Sequence, residues 1–186
     1  MRVLVVVAHP KLDSLTRAMA AECQRGLAAA GHEPTLLDLY AVGFDPVLHA
    51  NELSAVPASP PEPAILEAQS RLLEAQGLVL VYPVWWGAPP AILQGWLQRV
   101  MTAGFAFQTT AGRPQGLLRH KVRLILTASG RDTAITDSYA DPLIESLRFC
   151  GIQDIQAHII HGVYPGAPAA VTQSALKVAF EAGQGF

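Results

Sequence analysis

One run of residues constrains the fold of this chain more than any other feature of its sequence. Arg2 to Ala8 (RVLVVVA) is almost wholly apolar, is rich in β-branched valine, and shows no alternation between apolar and polar positions. A strand with one face in water alternates, whereas a strand covered on both faces does not. The run therefore predicts a strand buried inside a parallel sheet, and such sheets occur in α/β folds whose helices cover both faces.

Strand-like and helix-like segments alternate along the rest of the chain. Apolar runs bounded by glycine, proline or polar residues predict strands, and apolar residues at helical spacing predict helices. The expected strands are Arg2–Ala8, Thr35–Tyr40, Gly77–Tyr82, Val122–Ala128 and Ile155–Ile160, and the expected helices are Ser14–Ala30, Ala64–Gln76, Ala91–Ala103, Asp141–Cys150 and Ala169–Ala182. We therefore expect a single domain, residues 1–186, built on a doubly wound five-stranded parallel sheet with helices on both faces.

The composition excludes several classes of protein. Apolar residues make up 51% of the chain and charged residues 15%, which provides enough apolar material for a packed core and argues against disorder. The net charge of −2, without a cluster of lysine or arginine, predicts no affinity for nucleic acid or anionic lipid. The uncharged stretch Ala75–Gln98 is long enough to span a bilayer, but its prolines and glycines break any continuous helix, so no membrane insertion is expected.

The two cysteines help to predict the cellular compartment of the protein. Cys23 and Cys150 are distant in sequence and belong to no CxxC or mixed Cys/His spacing, so no metal site is predicted. Two reduced core thiols are typical of a cytosolic protein. The apolar run near the start of the sequence is too short, and wrongly flanked, for a signal peptide, so a cytoplasmic location is expected.

Three loops after predicted strands carry the candidate site, because ligands of doubly wound sheets bind beyond the carboxyl ends of the strands. The first loop leads into the first helix, whose N-terminal amides and dipole favour an anion such as phosphate. It offers the imidazole of His9 and the hydroxyls of Ser14 and Thr16 as donors. Capping of the helix by Asp13 or Ser14 explains either of those two residues equally well.

The second and third loops supply a flat surface and a polar edge. Pro83–Pro90 holds the adjacent Trp85 and Trp86 in a proline-stiffened turn. The pair predicts either a platform for a planar aromatic ligand or a division between the core and a dimer interface. Thr127–Gly130 has small residues whose backbone amides can approach an anionic edge. A ligand with a phosphate tail, a flat ring and an edge that becomes negative fits the three loops, which describes a flavin nucleotide.

Longer motifs carry a resemblance to a known family. They are the strand-one ending from His9 through Ser14 to Thr16, the segment Asp38–Ala41 with Phe44–Pro46, the run Tyr82–Val100 with Gly104–Phe107 after it, and Thr127–Gly130. In these segments the chain resembles the flavodoxin-like family of NAD(P)H:quinone oxidoreductases, which includes DT-diaphorase and smaller bacterial members. The run YPVWWGAPPAILQGWLQRV is its most specific part, and the resemblance spans nearly the whole chain.

The resemblance implies a flavodoxin-like fold and a homodimer, with the active site at the dimer interface and one FAD, or alternatively FMN, per chain. It assigns the phosphate or pyrophosphate to His9, Ser14, Leu15 and Thr16, the isoalloxazine ring to Pro83, Val84, Trp85 and Trp86, and the pyrimidine edge to Thr127, Ala128, Ser129 and Gly130. It also implies a two-electron ping-pong cycle, in which NAD(P)H passes a hydride to flavin N5 and leaves before a quinone takes its place.

The candidate catalytic residues are aromatic. By the same resemblance, Trp85 and Phe107 are expected to hold the nicotinamide or the quinone parallel to the flavin. Larger members of the family carry a tyrosine and a histidine after the fourth strand as a proton relay, whereas Arg131–Ala134 follow here and only Tyr139 is nearby. Tyr139 is therefore kept as a catalytic candidate without an assigned relay.

Other functions stay open at this point. Some bacterial relatives are ancillary subunits that activate glutathione-gated potassium efflux systems, and such a subunit would share the fold and the flavin. A one-electron carrier of the flavodoxin type is expected to be more acidic than a net charge of −2 and to lack the PAxLxGW helix. A flavin-free hydrolase has little support, because no GxSxG motif is present.

Overall fold

The computed structural model describes residues 1–53, 61–130 and 136–186, and its centre is the five-stranded parallel sheet that the sequence predicts. The strands are β1 (Arg2–Val7), β2 (Glu33–Asp38), β3 (Gly77–Pro83), β6 (Lys121–Thr127) and β7 (Ile155–Ile160). Their order is β2-β1-β3-β6-β7, and each neighbouring pair is parallel. The order reverses at β1, so the loops after β1 and β3 open at the point where such sheets bind ligands.

Helices cover both faces of the sheet. They are α1 (Leu15–Ala29), α2 (Pro63–Glu74), α3 (Ala91–Val100), α4 (Asp141–Phe149) and α5 (Ala169–Gln184), and short 3-10 helices occupy Ala50–Glu52 and Asp137–Ala140. Residues of α1 and α5 share one core cluster, and residues of α2, α3 and α4 share the other. Within the described part of the chain, no helix has both the length and the apolar character to cross a membrane.

The first strand is buried on both faces, as its sequence predicts. Val3, Val5 and Val7 belong to the cluster of α1 and α5, while Leu4 and Val6 belong to the cluster of α2, α3 and α4. None of the five side chains is more than 1% exposed. Each such burial stabilises the fold by roughly 1.5–3 kcal/mol relative to an exposed side chain.

Helices α1 and α5 approach each other closely because both present glycine at the contact. A Cβ atom on Gly26 would lie 2.0 Å from the carbonyl oxygen of Phe180, and one on Gly183 would lie 2.2 Å from that of Cys23. Cys23 is fully buried, and burial raises the pKa of its thiol to about 12. Cys150 is also buried, and both residues are free thiols, as the sequence predicts.

An antiparallel hairpin follows α3 and has no counterpart among the sequence predictions. Its strands are β4 (Phe107–Thr110) and β5 (Arg113–Gly116). They contain mostly polar residues and a proline, so the alternation that signals a half-buried strand is missing. The turn between them holds Ala111 at φ 51° and Gly112 at φ 75°, the positive values that a type I′ turn requires.

A buried arginine fastens the chain between β2 and α2 onto α3. Arg99 is 1% exposed and donates to Glu52 Oε1 at 3.0 Å, to Glu62 Oε2 at 2.9 Å and to the carbonyl oxygen of Asp45 at 2.7 Å. Its guanidinium carbon lies 5.9 Å from the centre of the Phe44 ring. Because a buried charge without partners is strongly destabilising, these contacts hold the loop around residues 44–52 and the start of α2 in place.

Candidate functional site

A cavity of about 370 Å³ lies at the carboxyl edge of the sheet and is called the first cavity below. Its walls come from the loops after β1, β3, β6 and β7 and from the first turn of α1. The lining residues are His9, Leu15, Thr16, Pro83, Val84, Trp85, Thr127, Ser129, Val163, Tyr164 and Pro165. Candidates from all three predicted loops thus meet in one place, whereas Ser14, Trp86, Ala128 and Gly130 do not line the first cavity.

The first turn of α1 forms the wall that favours an anion. Ser14 is the N-cap, since its backbone is extended and its Oγ accepts the N–H of Arg17 at 3.3 Å. The amides of Leu15 and Thr16 have no carbonyl partner within the helix. Thr16 is 3% exposed and lines the first cavity with Leu15. Ser14 therefore caps α1, and the amides beside it are the groups that can meet an anion.

His9 offers one hydrogen-bond donor to the first cavity. The backbone N–H of Lys11 donates to His9 Nδ1 at 3.1 Å, so the neutral ring carries its proton on Nε2. Burial lowers the pKa of His9, which favours this neutral form at neutral pH. The ring meets Trp85 edge-on, with centroids 5.6 Å apart and planes at 63°. The site thus presents an N–H donor beside an aromatic wall.

A second arginine braces the loop that carries His9. Arg17 forms an ion pair with Asp38, and its Nε donates to the carbonyl oxygen of His9 at 3.4 Å. Asp38 Oδ1 in turn accepts the N–H groups of Tyr40 and Ala41, each at 3.1 Å. Arg17 and Asp38 are both largely buried, so the end of β2, the start of α1 and the loop after β1 are held as one unit.

The two tryptophans belong to a tight turn that separates their environments. The N–H of Trp85 donates to the Ala88 carbonyl at 2.9 Å, and the N–H of Ala88 donates to the Trp85 carbonyl at 3.1 Å. Trp86 at φ 54° and Gly87 at φ 75° occupy the centre, as in a type I′ turn. Trp85 is 41% exposed and lines the first cavity, whereas Trp86 is fully exposed. A platform shared by both rings is not present in this cavity, because only Trp85 lines it.

The loop after β6 supplies the polar edge. Thr127 and Ser129 line the first cavity, while Ala128 between them is buried and Gly130 is exposed. The carbonyl of Thr127 accepts the N–H of Val84 at 2.8 Å, which joins this loop to the loop after β3. The two loops therefore form a continuous floor beyond the strand ends.

A second cavity, of about 590 Å³, also borders the turn of residues 85–88. Phe107 and Tyr139, the other catalytic candidates, line this second cavity and not the first. Phe107 meets Phe149 edge-on with centroids 4.9 Å apart, and a Cβ on Gly87 would lie 3.8 Å from the Tyr139 ring. Glu145 is the only charged residue in its described lining. The structure thus divides the three catalytic candidates between two neighbouring cavities.

Sequence reasoning missed the loop after β7. Val163, Tyr164 and Pro165 line the first cavity, although none of them was among the candidates. The available signal was positional, because the fifth parallel strand ends at the same edge as the other four. Arg131–Ala134, the segment that replaces the relay residues of larger relatives, lies outside the described residues.

Comparison with known proteins connects this site to a family. A family model described as a flavodoxin-like fold matches residues 1–181. An uncharacterized NAD(P)H oxidoreductase from Haemophilus influenzae is 30% identical over 169 residues, which cover 87% of this chain and 84% of that protein. NAD(P)H dehydrogenase (quinone) 1 from Rattus norvegicus is 29% identical over 199 residues, covering 92% of this chain and 73% of the relative.

Solved structures agree with the sequence relatives. The NAD(P)H:quinone oxidoreductase from Methanothermobacter marburgensis has a TM-score of 0.87 at 28% identity and covers 99% of this chain and 96% of that one. An FMN-dependent NADH-azoreductase from Bacillus anthracis, solved in complex with FMN, has a TM-score of 0.76 at 24% identity over 98% of this chain and 97% of its own. The second likeness supports the fold alone.

Proposed function

This chain belongs to the family of flavodoxin-like NAD(P)H:quinone oxidoreductases, and from that membership we propose that it binds a flavin in the first cavity. The proposed reaction is a ping-pong transfer of hydride from NAD(P)H, through the flavin, to a quinone or a similar acceptor. FAD is the first candidate for the flavin and FMN the second. Both carry a phosphate, which the N-terminus of a helix favours.

One observation carries the proposal: a helix N-terminus, an aromatic wall and a polar loop meet at one cavity. Its volume of about 370 Å³ lies in the range of roughly 300–1,000 Å³ typical of small-molecule sites. The donors also fit the flavin in kind. The amides of Leu15 and Thr16 suit a phosphate, Trp85 suits the flat ring, and the loop from Thr127 to Ser129 suits its polar edge.

The side chains bind and orient, because the redox chemistry belongs to the cofactor. A bound flavin supplies the hydride acceptor and donor that the protein side chains lack. With Nδ1 engaged by Lys11, His9 would offer its Nε2–H to the phosphate, and its ring contacts Trp85 edge-on. The backbone amides of the loop after β6 favour the ring edge that becomes negative on reduction.

Phe107 and Tyr139 are proposed to contact the electron acceptor. Both line the second cavity, whose described lining is largely apolar and suits a flat neutral molecule such as a quinone. The fully exposed Trp86 and the exposed Phe149 lie on the surface that we expect a second copy of the chain to cover. We therefore propose a homodimer in which the two copies complete the active site between them. The two free core thiols support the further proposal of a cytoplasmic location.

A visible spectrum tests the proposal directly. The purified protein is incubated with FAD and with FMN in parallel, desalted, and then mixed with NADH or NADPH without oxygen. The expected result is a retained yellow flavin that bleaches with a nicotinamide donor and recovers its colour when a quinone is added. If neither flavin is retained, the proposed function is wrong. Retention without bleaching would favour a carrier or an ancillary subunit over a reductase.

A further inference from the structure

Three side chains form a hydrogen-bonded series beside the loop after β6. Thr136 Oγ1 and His161 Nδ1 are 2.8 Å apart, and His161 Nε2 lies 3.2 Å from Asp137 Oδ1. An ionised carboxylate only accepts hydrogen bonds, so the neutral His161 ring carries its proton on Nε2. Nδ1 then accepts the hydroxyl proton of Thr136. Because both ring nitrogens are engaged, the tautomer and the orientation of the ring are fixed.

The series contacts the loop after β6 at Gly130, the neighbour of Ser129, which lines the first cavity. The N–H of Gly162, the residue after His161, donates to the Gly130 carbonyl at 3.1 Å. A Cβ on Gly130 would lie 2.9 Å from Thr136 Cγ2, so Thr136 packs directly against the Gly130 backbone. Thr136 is 2% exposed, and the His161 side chain is 27% exposed. Thr136 and His161 are therefore part of the packed structure, whereas the Asp137 carboxylate that holds Nε2 is 63% exposed.

The short helix that carries Asp137 links this group to the other strand ends. Residues Asp137–Ala140 form one 3-10 turn, which places Asp137 beside His161 and Tyr139 beside Gly87. Thr136 precedes the turn and packs against Gly130. Residues 136–139 thus contact the loops after β3, β6 and β7, and the contact with Gly130 lies next to Ser129 in the wall of the first cavity.

We propose that His161 is a positioning residue of this site: held by Thr136 and Asp137, it fixes the direction in which the Ser129 and Gly130 amides point. The inference rests on the proposed flavin function. Fixed donors matter most for a group whose charge increases during the reaction, because they need no reorganisation at that moment. His161 should therefore strengthen binding of the reduced flavin more than binding of the oxidised flavin.

A matched pair of substitutions at Thr136 tests the contribution of its hydroxyl group. Thr136→Val keeps the methyl group against Gly130 but removes the hydroxyl, whereas Thr136→Ser keeps the hydroxyl. The loss of about one hydrogen bond in the reduced state corresponds to a roughly tenfold weaker Kd for the reduced flavin. If the Kd for the oxidised flavin is unchanged, a tenfold weaker Kd for the reduced flavin lowers the two-electron midpoint potential by about 30 mV.

The measurements are the oxidised-state Kd and the midpoint potential, using whichever of FAD or FMN the wild type retains. Thr136→Val and His161→Gln should both lower the potential, and Thr136→Ser should leave it near the wild-type value. His32→Gln is the control, because His32 lies at the opposite edge of the sheet beside Phe186 and should change nothing. A second readout needs no flavin: the ring ¹⁵N shifts of His161 should show the proton on Nε2.

The outcomes separate the inference from the proposed function. Unchanged potentials in Thr136→Val and His161→Gln overturn the inference, and so does an equal loss of affinity for both redox states together with a lower Tm. A proton on Nδ1 also overturns it. If the wild type retains neither flavin, the proposed function fails first and the inference falls with it. A lowered potential with normal oxidised-state binding supports the inference.

Discussion

Replacing Trp86 with asparagine should make the folded chain more stable at protein concentrations too low for two copies to associate. Trp86 has φ 54° and is fully exposed, so its ring adds no packing within the chain while its backbone carries the strain of a left-handed residue. Asn-Gly is the preferred pair at the centre of a type I′ turn, and Gly87 already fills the second position. We expect Trp86→Asn to raise the free energy of unfolding by about 0.5–1 kcal/mol.

The assay is urea unfolding, supported by calorimetry, at several protein concentrations. For a chain of 186 residues, the expected gain raises Tm by about 1–4 °C. Ala111→Asn is the matched control, because Ala111 at φ 51° precedes Gly112 in the same kind of turn. It should stabilise the protein by a similar amount and leave turnover unchanged, whereas Trp86→Asn should lower turnover.

One result would refute the reasoning. If Trp86→Asn loses stability at the lowest protein concentration while Ala111→Asn gains it, the Trp86 ring packs against residues of its own chain. A loss that grows with protein concentration would identify a second copy of the chain as the packing partner, because binding between copies stabilises the folded state by mass action. A gain in both variants would instead show that the strain at Trp86 is tolerated for function and not for folding.

Three further predictions concern stability, pH and the proposed site. Arg99→Met should lower the free energy of unfolding by about 1–3 kcal/mol, because the largely buried Glu52 carboxylate loses its counter-charge and its hydrogen bond. Arg71→Met, in an exposed pair, should change it by less than about 0.5 kcal/mol, and equal effects in urea unfolding would contradict this reasoning. Burial lowers the pKa of His158 from 6.5, so this residue stays neutral in the folded protein while the unfolded chain binds a proton as the pH falls. Stability should therefore decrease below about pH 6.5, and His158→Leu should reduce the difference between urea midpoints at about pH 7.5 and pH 5.5; an unchanged difference would show that His158 is not responsible. His9→Ala should weaken flavin retention more than turnover per bound flavin, and Trp85→Ala should lower turnover even in flavin-loaded protein, so reversed effects would contradict the assigned roles.

The fold was predictable because its signals are local and strong. Val3 to Val7 form an unbroken apolar run rich in β-branched valine, which is typical of a strand covered on both faces. The hairpin of β4 and β5 gave no such signal, since its strands are short and mostly polar and its turn uses Ala-Gly in place of Asn-Gly. Its position depends on packing contacts such as that between Phe107 and Phe149, which join residues distant in sequence.

The candidate site was predictable in its location and less so in its side chains. The N-terminus of α1 follows from the periodicity of that helix, and Ser14 is its cap. The separate environments of Trp85 and Trp86 depend on the turn type, which is defined by positive φ values at Trp86 and Gly87. The sequence WWGA does not indicate that turn type. The contact between Thr136 and His161 joins residues 25 positions apart and depends on how β6 and β7 pair.

The amino and carboxyl edges of the sheet differ in how they are packed, and this difference supports the location of the site at the carboxyl edge. At the edge opposite the first cavity, Phe186 fills the space, since a Cβ atom on Gly77 would lie 2.4 Å from its ring. Lys121 Nζ lies 5.4 Å and Arg123 Cζ lies 5.3 Å from the centre of that ring. Around Phe186 that edge is closed by packing and cation–π contacts. The carboxyl edge instead keeps a strained, fully exposed tryptophan at position 86, the first cavity, and the part of the second cavity that borders the turn of residues 85–88. Because strain and exposed aromatic surface destabilise an isolated domain, their concentration at one edge is explained if ligands and a second copy of the chain cover it.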